Sequence, residues 1–126
     1  MNTPASTSKA VELQERFISF AAQILALSEK FPNTSQGRHI CGQMLRSGTA
    51  TAANYAEARG AESRSDFVHK LGIVLKESNE TVIWLELAAR SSLLLSSEVA
   101  PVVAENRELC RIITASIKTT RGSIDR

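Results

Sequence analysis

The residues best equipped for chemistry sit on either side of one glycine. Arg46, Asn54 and Glu57 precede Gly60, and Lys76, Glu77 and Glu80 follow it. If both segments are helices that fold back at Gly60, Arg46 comes level with about Glu77, and Asn54 with about His69 or Lys70. A cation beside two carboxylates can be an acid/base pair, with Glu77 or Glu80 moving a proton. It can equally be an ion-pair network that sets helix register or a subunit contact. Such a network adds little net stability but penalises mispairing. Nothing nearby completes a catalytic set, so the structural network is the preferred reading.

The two histidines, His39 and His69, lie in no nucleophile motif and read as surface or capping residues. Glu62, Asp66 and His69 fall at i, i+4 and i+7, which would gather them on one helical face. A di-iron bundle needs paired Glu-x-x-His motifs, and the chain has none, so no metal site is expected. Neither GxGxxG nor GxxxxGK[ST] occurs, and no cofactor is expected. Near the C-terminus, Arg111, Lys118, Arg121 and Arg126 face a single acid, Asp125. Arg111, Lys118 and Arg121 are candidates for nucleic-acid contact, but the preferred reading is that cations at a helix C-terminus complement its dipole.

Four helices must position these groups. The first is expected over Lys9 to Lys30, capped by Ser8. Leu13, Phe17, Phe20, Ile24, Leu27 and Phe31 recur at alternating steps of four and three, the stripe of a packed helix. Val11, Ile18 and Leu25 form a second stripe at seven-residue spacing, so this helix is expected to touch more than one neighbour. Pro32 should stop it. The second helix is expected over Gly37 to Ala58. Ser47 to Ala53 are all small, which allows close approach within the bundle or between subunits. Gly48, Thr49 and Thr51 lower helicity by roughly 0.5 to 1 kcal/mol each relative to Ala, so packing must compensate.

Gly60 should close the second helix in the left-handed conformation. Ser63 and Asp66 form a capping-box-like start for the third helix, expected from Ser63 to Leu95. Its core line is Phe67, Leu71, Val74, Ser78, Val82, Leu85, Ala88, Ser92 and Leu95. The fourth helix should begin between Ser97 and Pro101, because proline is tolerated in the first turn. Val102, Val103, Leu109, Ile112, Ile113, Ser116 and Ile117 mark its apolar face, and it should fray near Thr120 to Gly122. Short connections then imply an all-α, antiparallel up-down-up-down four-helix bundle. Residues 1–7 read as a disordered lead, 8–120 as the bundle domain and 121–126 as a frayed end.

Composition agrees with this architecture. The chain has 126 residues, enough for one core, and only three prolines and six glycines. A formal charge of +2 is too small to demand nucleic acid or a membrane surface as partner. Cys41 and Cys110 are far apart with no CxxC, as expected of reduced, buried cysteines in a cytoplasmic protein. No secretory leader and no apolar run of membrane-spanning length is seen.

One contiguous pattern carries more than its parts. It comprises RSGTATAAN (Arg46 to Asn54), Tyr55, Glu57-Ala58, GAESRSDFVHKL (Gly60 to Leu71) and LKESNETVIWLEL (Leu75 to Leu87), with Phe31-Pro32 upstream. The chain from about Phe17 to Ser116 resembles the bacterial four helix bundle protein family, also called the 23S ribosomal RNA intervening-sequence proteins. The resemblance implies a small helical protomer assembling as a ring-shaped homopentamer with a central channel. Some members are encoded within intervening sequences of 23S ribosomal RNA genes, and most have no established activity. A relative, the accessory protein of diversity-generating retroelements, is a basic pentamer that binds nucleic acid and reverse transcriptase. This chain departs from it in being near neutral, and it has Thr51-Ala52 where relatives often carry Ser-Val or Ser-Ile.

The expected function is thus that of a non-enzymatic assembly or interaction protein with an RNA or protein partner. The alternative is weak, salt-sensitive RNA binding, since five copies of a +2 chain bring about +10 to a ring. An enzyme built on Arg46, Glu77 and Glu80 is the least favoured reading.

Overall fold

A computed structural model describes residues 8–124. The expected N-terminal lead and the last two residues of the expected C-terminal end lie outside the described residues. Four helices account for nearly all of the rest: α1 (Lys9–Ser28), α2 (Ser35–Arg59), α3 (Arg64–Arg90) and α4 (Ser96–Ile124). Each helix packs on its two neighbours in a closed circuit, while α1 and α3, like α2 and α4, lie diagonally across the core without close backbone approach. Neighbours run antiparallel. Arg59 of α2 reaches Gln14 near the start of α1, and Gly48 lies against Ile24 farther along it. Likewise Arg16 pairs with Glu105, and Lys30 with Glu98.

Each element follows from local chemistry. Ser8 caps α1 by accepting the Val11 N–H, and the stripe Leu13, Phe17, Phe20, Ile24 and Leu27 is buried. Full burial of side chains this large stabilises by about 1.5–3 kcal/mol each. The helix ends at Ser28, a turn before Pro32. Thr34 caps α2 by accepting the Gly37 N–H, so α2 begins before the expected Gly37. The apolar face of α4, from Val99 to Ile117, closes the core.

Several expectations are corrected. Gly60 has φ −94°, so α2 ends without a left-handed residue there. Asp66 does not reach back to Ser63; its carboxylate accepts from the Glu62 N–H while Ser63 accepts from the Asp66 N–H. The largest correction is at the end of α3, which stops at Arg90 and not Leu95. Ser92 adopts φ 59°, and the Ser92 and Leu93 amides donate back to Ala89 and Ala88. This is the Schellman arrangement, with serine where glycine is usual. It turns Leu94 into the core and leaves Leu95 exposed. Thr81, not Val82, is the buried residue of its turn.

The fourth helix also differs. It starts at Ser96, ahead of the expected Ser97 to Pro101, which puts Pro101 in the second turn at the cost of one ladder bond. It continues through Ile124, past the expected fraying at Thr120 to Gly122. Cys41 and Cys110 are free but only half-buried. Among the described residues, no helix is long and apolar enough to cross a membrane.

Candidate functional site

The hairpin of α2 and α3 positions the polar cluster. Small residues of α2 line its contacts with both α1 and α3. A Cβ on Gly48 would lie 2.9 Å from two carbons of Ile24, so only glycine admits α1 at this distance. Between α2 and α3, the buried Thr81 hydroxyl donates to Ser47 Oγ at 2.8 Å, and Ser47 donates to the Gln43 carbonyl. Thr51 donates to the Gly48 carbonyl at 2.9 Å. These buried hydroxyls are satisfied within the protomer, so much of the small-residue run is used inside it. A further buried amide, Asn106, donates to the Ser78 carbonyl at 3.1 Å and ties α4 to α3.

Above this seam lies the charged network. Arg46 sends Nη1 to Glu77 at 3.4 Å and Nη2 to Glu80. Trp84 Nε1 donates to the same Glu80 oxygen at 3.2 Å, and His39 meets the Trp84 ring edge-on with centroids 6.3 Å apart. Thus a continuous line runs His39, Trp84, Glu80, Arg46, Glu77 along the outer face of α2 and α3. Arg46 is 53% exposed in its side chain, so the network is a surface feature. Asn54, Glu57 and Lys76 make no side-chain hydrogen bond or ion pair among the described residues; the structure does not draw them into the cluster. Tyr55, next to Asn54, faces inward and stacks on Phe17 with centroids 5.2 Å apart.

Both carboxylates that a proton-transfer reading would use are occupied by Arg46 and Trp84. The metal trio considered above is also committed elsewhere. Asp66 pairs with Lys70 at 3.1 Å and accepts the Glu62 N–H, and these two contacts hold its carboxyl below the usual range. Among the described residues, no group of three His, Cys, Asp or Glu is gathered for a metal ion.

The basic residues lie along α4. Arg111 pairs with Glu108 at 2.9 Å and holds that carboxyl below its ordinary range. Lys118 and Arg121 are exposed and have no ion-pair partner among the described residues. Arg111, Thr114 and Lys118 border a shallow depression on this face, with Cys110 at its edge. Burial pushes the Cys110 thiol up, with a smaller opposing effect from Ser78.

The spacing of Glu77, Glu80 and Trp84 already puts these three on one face of α3, but neither Trp84 nor His39 is expected in the polar network. Trp84 lies four residues beyond Glu80, and His39 seven before Arg46, so helical spacing placed each on the right face. What spacing does not supply is the rotamer that aims the indole N–H at a carboxylate.

Comparison with known proteins now bears on the whole arrangement. The family model for 23S rRNA-intervening sequence protein matches residues 9–115. The chain belongs to that family. A solved structure from Bacteroides thetaiotaomicron VPI-5482, a protein of unknown function from the S23 ribosomal protein family, is similar at 35% identity and a TM-score of 0.79. The match covers 84% of this chain and 98% of that one. No curated protein matches. For a 23S rRNA-intervening sequence protein, the matched region takes in all of α1 to α3 and most of α4, including the Arg46 network and Arg111. Lys118 and Arg121 fall beyond it.

Proposed function

We propose that this protein is a non-enzymatic assembly protein that works as a ring-shaped homo-oligomer in the cytoplasm. The observation that carries this reading is the second stripe of α1. Val11, Ile18 and Leu25 are 37%, 48% and 54% exposed, side by side on a helix whose other face is fully packed. A matching apolar surface exists on α3, where Ile83 is 61% exposed and Leu87 is also exposed. Because α1 and α3 are diagonal in the bundle, these surfaces point to opposite sides of the protomer. Joining one to the other is a heterologous contact, the kind that closes into rings. A ring of five rests on the family resemblance. The two free cysteines are consistent with a reducing compartment.

Light scattering on the purified chain at micromolar concentration tests this reading. A mass of several protomers supports it, a mass of five supports the pentamer, and a monomer overturns it. RNA binding is the second reading, favoured by the exposed cations Lys118 and Arg121, which have no ion-pair partner among the described residues. Fluorescence anisotropy with labelled RNA, from low to physiological salt, decides it. Its affinity should fall steeply with salt, and no binding at low salt removes it.

A further inference from the structure

At the end of the bundle where α1 starts, a cleft of about 470 Å³ opens among Lys9, Leu13, Arg16, Tyr55, Phe67 and Ile112. That volume is typical of small-molecule sites, roughly 300–1,000 Å³. Leu13, Phe67 and Ile112 make its walls apolar. Two hydroxyl-bearing side chains line it, Ser116 and the more buried Tyr55. Tyr55 is only 4% exposed, and its hydroxyl has no hydrogen-bond partner among the described residues. Yet no buried side-chain polar atom among them is orphaned, so the hydroxyl keeps access to open space, and the cleft it lines provides that space. The mouth carries two cationic groups, Lys9 and Arg16, with Glu105 neutralising Arg16 and Glu12 offsetting Lys9. Lys9 has no carboxylate partner among the described residues. Arg16 gives Nε and Nη2 to Glu105, leaving Nη1 unused, and Glu12 is the one lining acid.

We infer that this cleft binds a small hydroxyaryl carboxylic acid, the aryl body between Phe67 and Ile112, its hydroxyl on Tyr55 and its carboxylate beside Lys9. Aromatic walls suit an aryl ring through edge and offset contacts. The carboxylate stays at the wet mouth, because burying it unpaired would be costly. Tyr55 is the specificity-determining residue. A phenol oxygen reaching it completes a hydrogen bond that a plain phenyl ring leaves unmade.

Calorimetric titration of the full chain with 3-(4-hydroxyphenyl)propanoate and with 3-phenylpropanoate tests the assignment. The hydroxylated probe should bind about three- to tenfold tighter, the ratio one neutral hydrogen bond supplies. Tyr55→Phe should erase that preference while leaving the affinity for 3-phenylpropanoate unchanged. Ala10→Trp, at the partly exposed rim, should block both probes, whereas Ser97→Ala, exposed at the start of α4 at the other end of the bundle, should affect neither. Unfolding curves of each variant check that the bundle is intact. No saturable binding at millimolar probe, a hydroxyl preference that survives Tyr55→Phe, or binding that survives Ala10→Trp would each overturn the site.

Discussion

Arg46 holds two carboxylates from a position half in water, and that exposure decides what the contact contributes. Solvent screens exposed ion pairs, and such pairs add about 0–1 kcal/mol each. Arg46→Ala should therefore lower stability by no more than about 1 kcal/mol, measured by urea unfolding, with the difference shrinking in high salt. A larger, salt-insensitive loss would mark Arg46 as a core residue. The carboxyl groups of Asp66 and Glu108 add a pH dependence. Lys70 and the Glu62 amide hold Asp66 low, and Arg111 holds Glu108 low. A depressed folded pKa means the contribution is present above the unfolded carboxylate range, near about 4, and is lost as pH falls through the lower folded value. Asp66→Asn should then reduce the urea midpoint at pH 7 and leave it unchanged at pH 2. Equal effects at both pH values would assign the role to capping geometry. At this scale the hairpin register of Arg46 opposite Glu77 was legible from residue spacing. The Trp84 bond to Glu80 was not, because it depends on side-chain rotamers.

At the scale of elements, two backbone positions stand out. At Gly48 α2 lies directly against α1, and Ile24 fills the space a methyl would need. Gly48→Ala should destabilise by about 1–3 kcal/mol through overpacking, even though alanine favours helix. In an Ile24→Ala background the clash is gone, so the same change should become stabilising by roughly 1 kcal/mol. Thermal unfolding of the four variants closes the cycle, and an unchanged sign would refute the contact. Ser92 is the second position. Its left-handed backbone costs a non-glycine residue about 1 kcal/mol, so Ser92→Gly should raise stability by about that amount in urea. A loss on substitution would mean the serine side chain supports the turn. The apolar stripe of α1 and the Ser8 and Ser63 caps were readable because they are local signals. The end of α3 was misread because Ser92 and Leu95 continue a helical period in sequence. A Schellman turn that sends Leu94 into the core overrides that period.

For the whole molecule, the question is what the outer stripe of α1 meets. Three branched or large apolar residues at seven-residue spacing are wasted on a free protomer, where they would remain in water. Ile18→Lys places a charge at the centre of that stripe without touching the core. It should reduce the mass seen by light scattering to that of the protomer, with helical content by circular dichroism unchanged. Retained assembly would move the interface elsewhere, and lost helicity would make the stripe part of the fold. The charge of the whole chain is too small to drive assembly or RNA binding by itself.

The sequence by itself determined the number of helices, the core stripe of α1 and the antiparallel order. Those follow from periodicity, caps and short connections, all of which act within a few residues. It also determined family membership, through the long pattern around Arg46 to Leu87. Only the tertiary structure decided that Gly48, Ser47 and Thr51 are used inside the protomer, because the same small residues would serve equally at a subunit contact. Only the structure showed Tyr55 lining a cleft, with no hydrogen-bond partner for its hydroxyl among the described residues. That cleft is made by residues from all four helices, brought together by packing that no single stretch of sequence encodes.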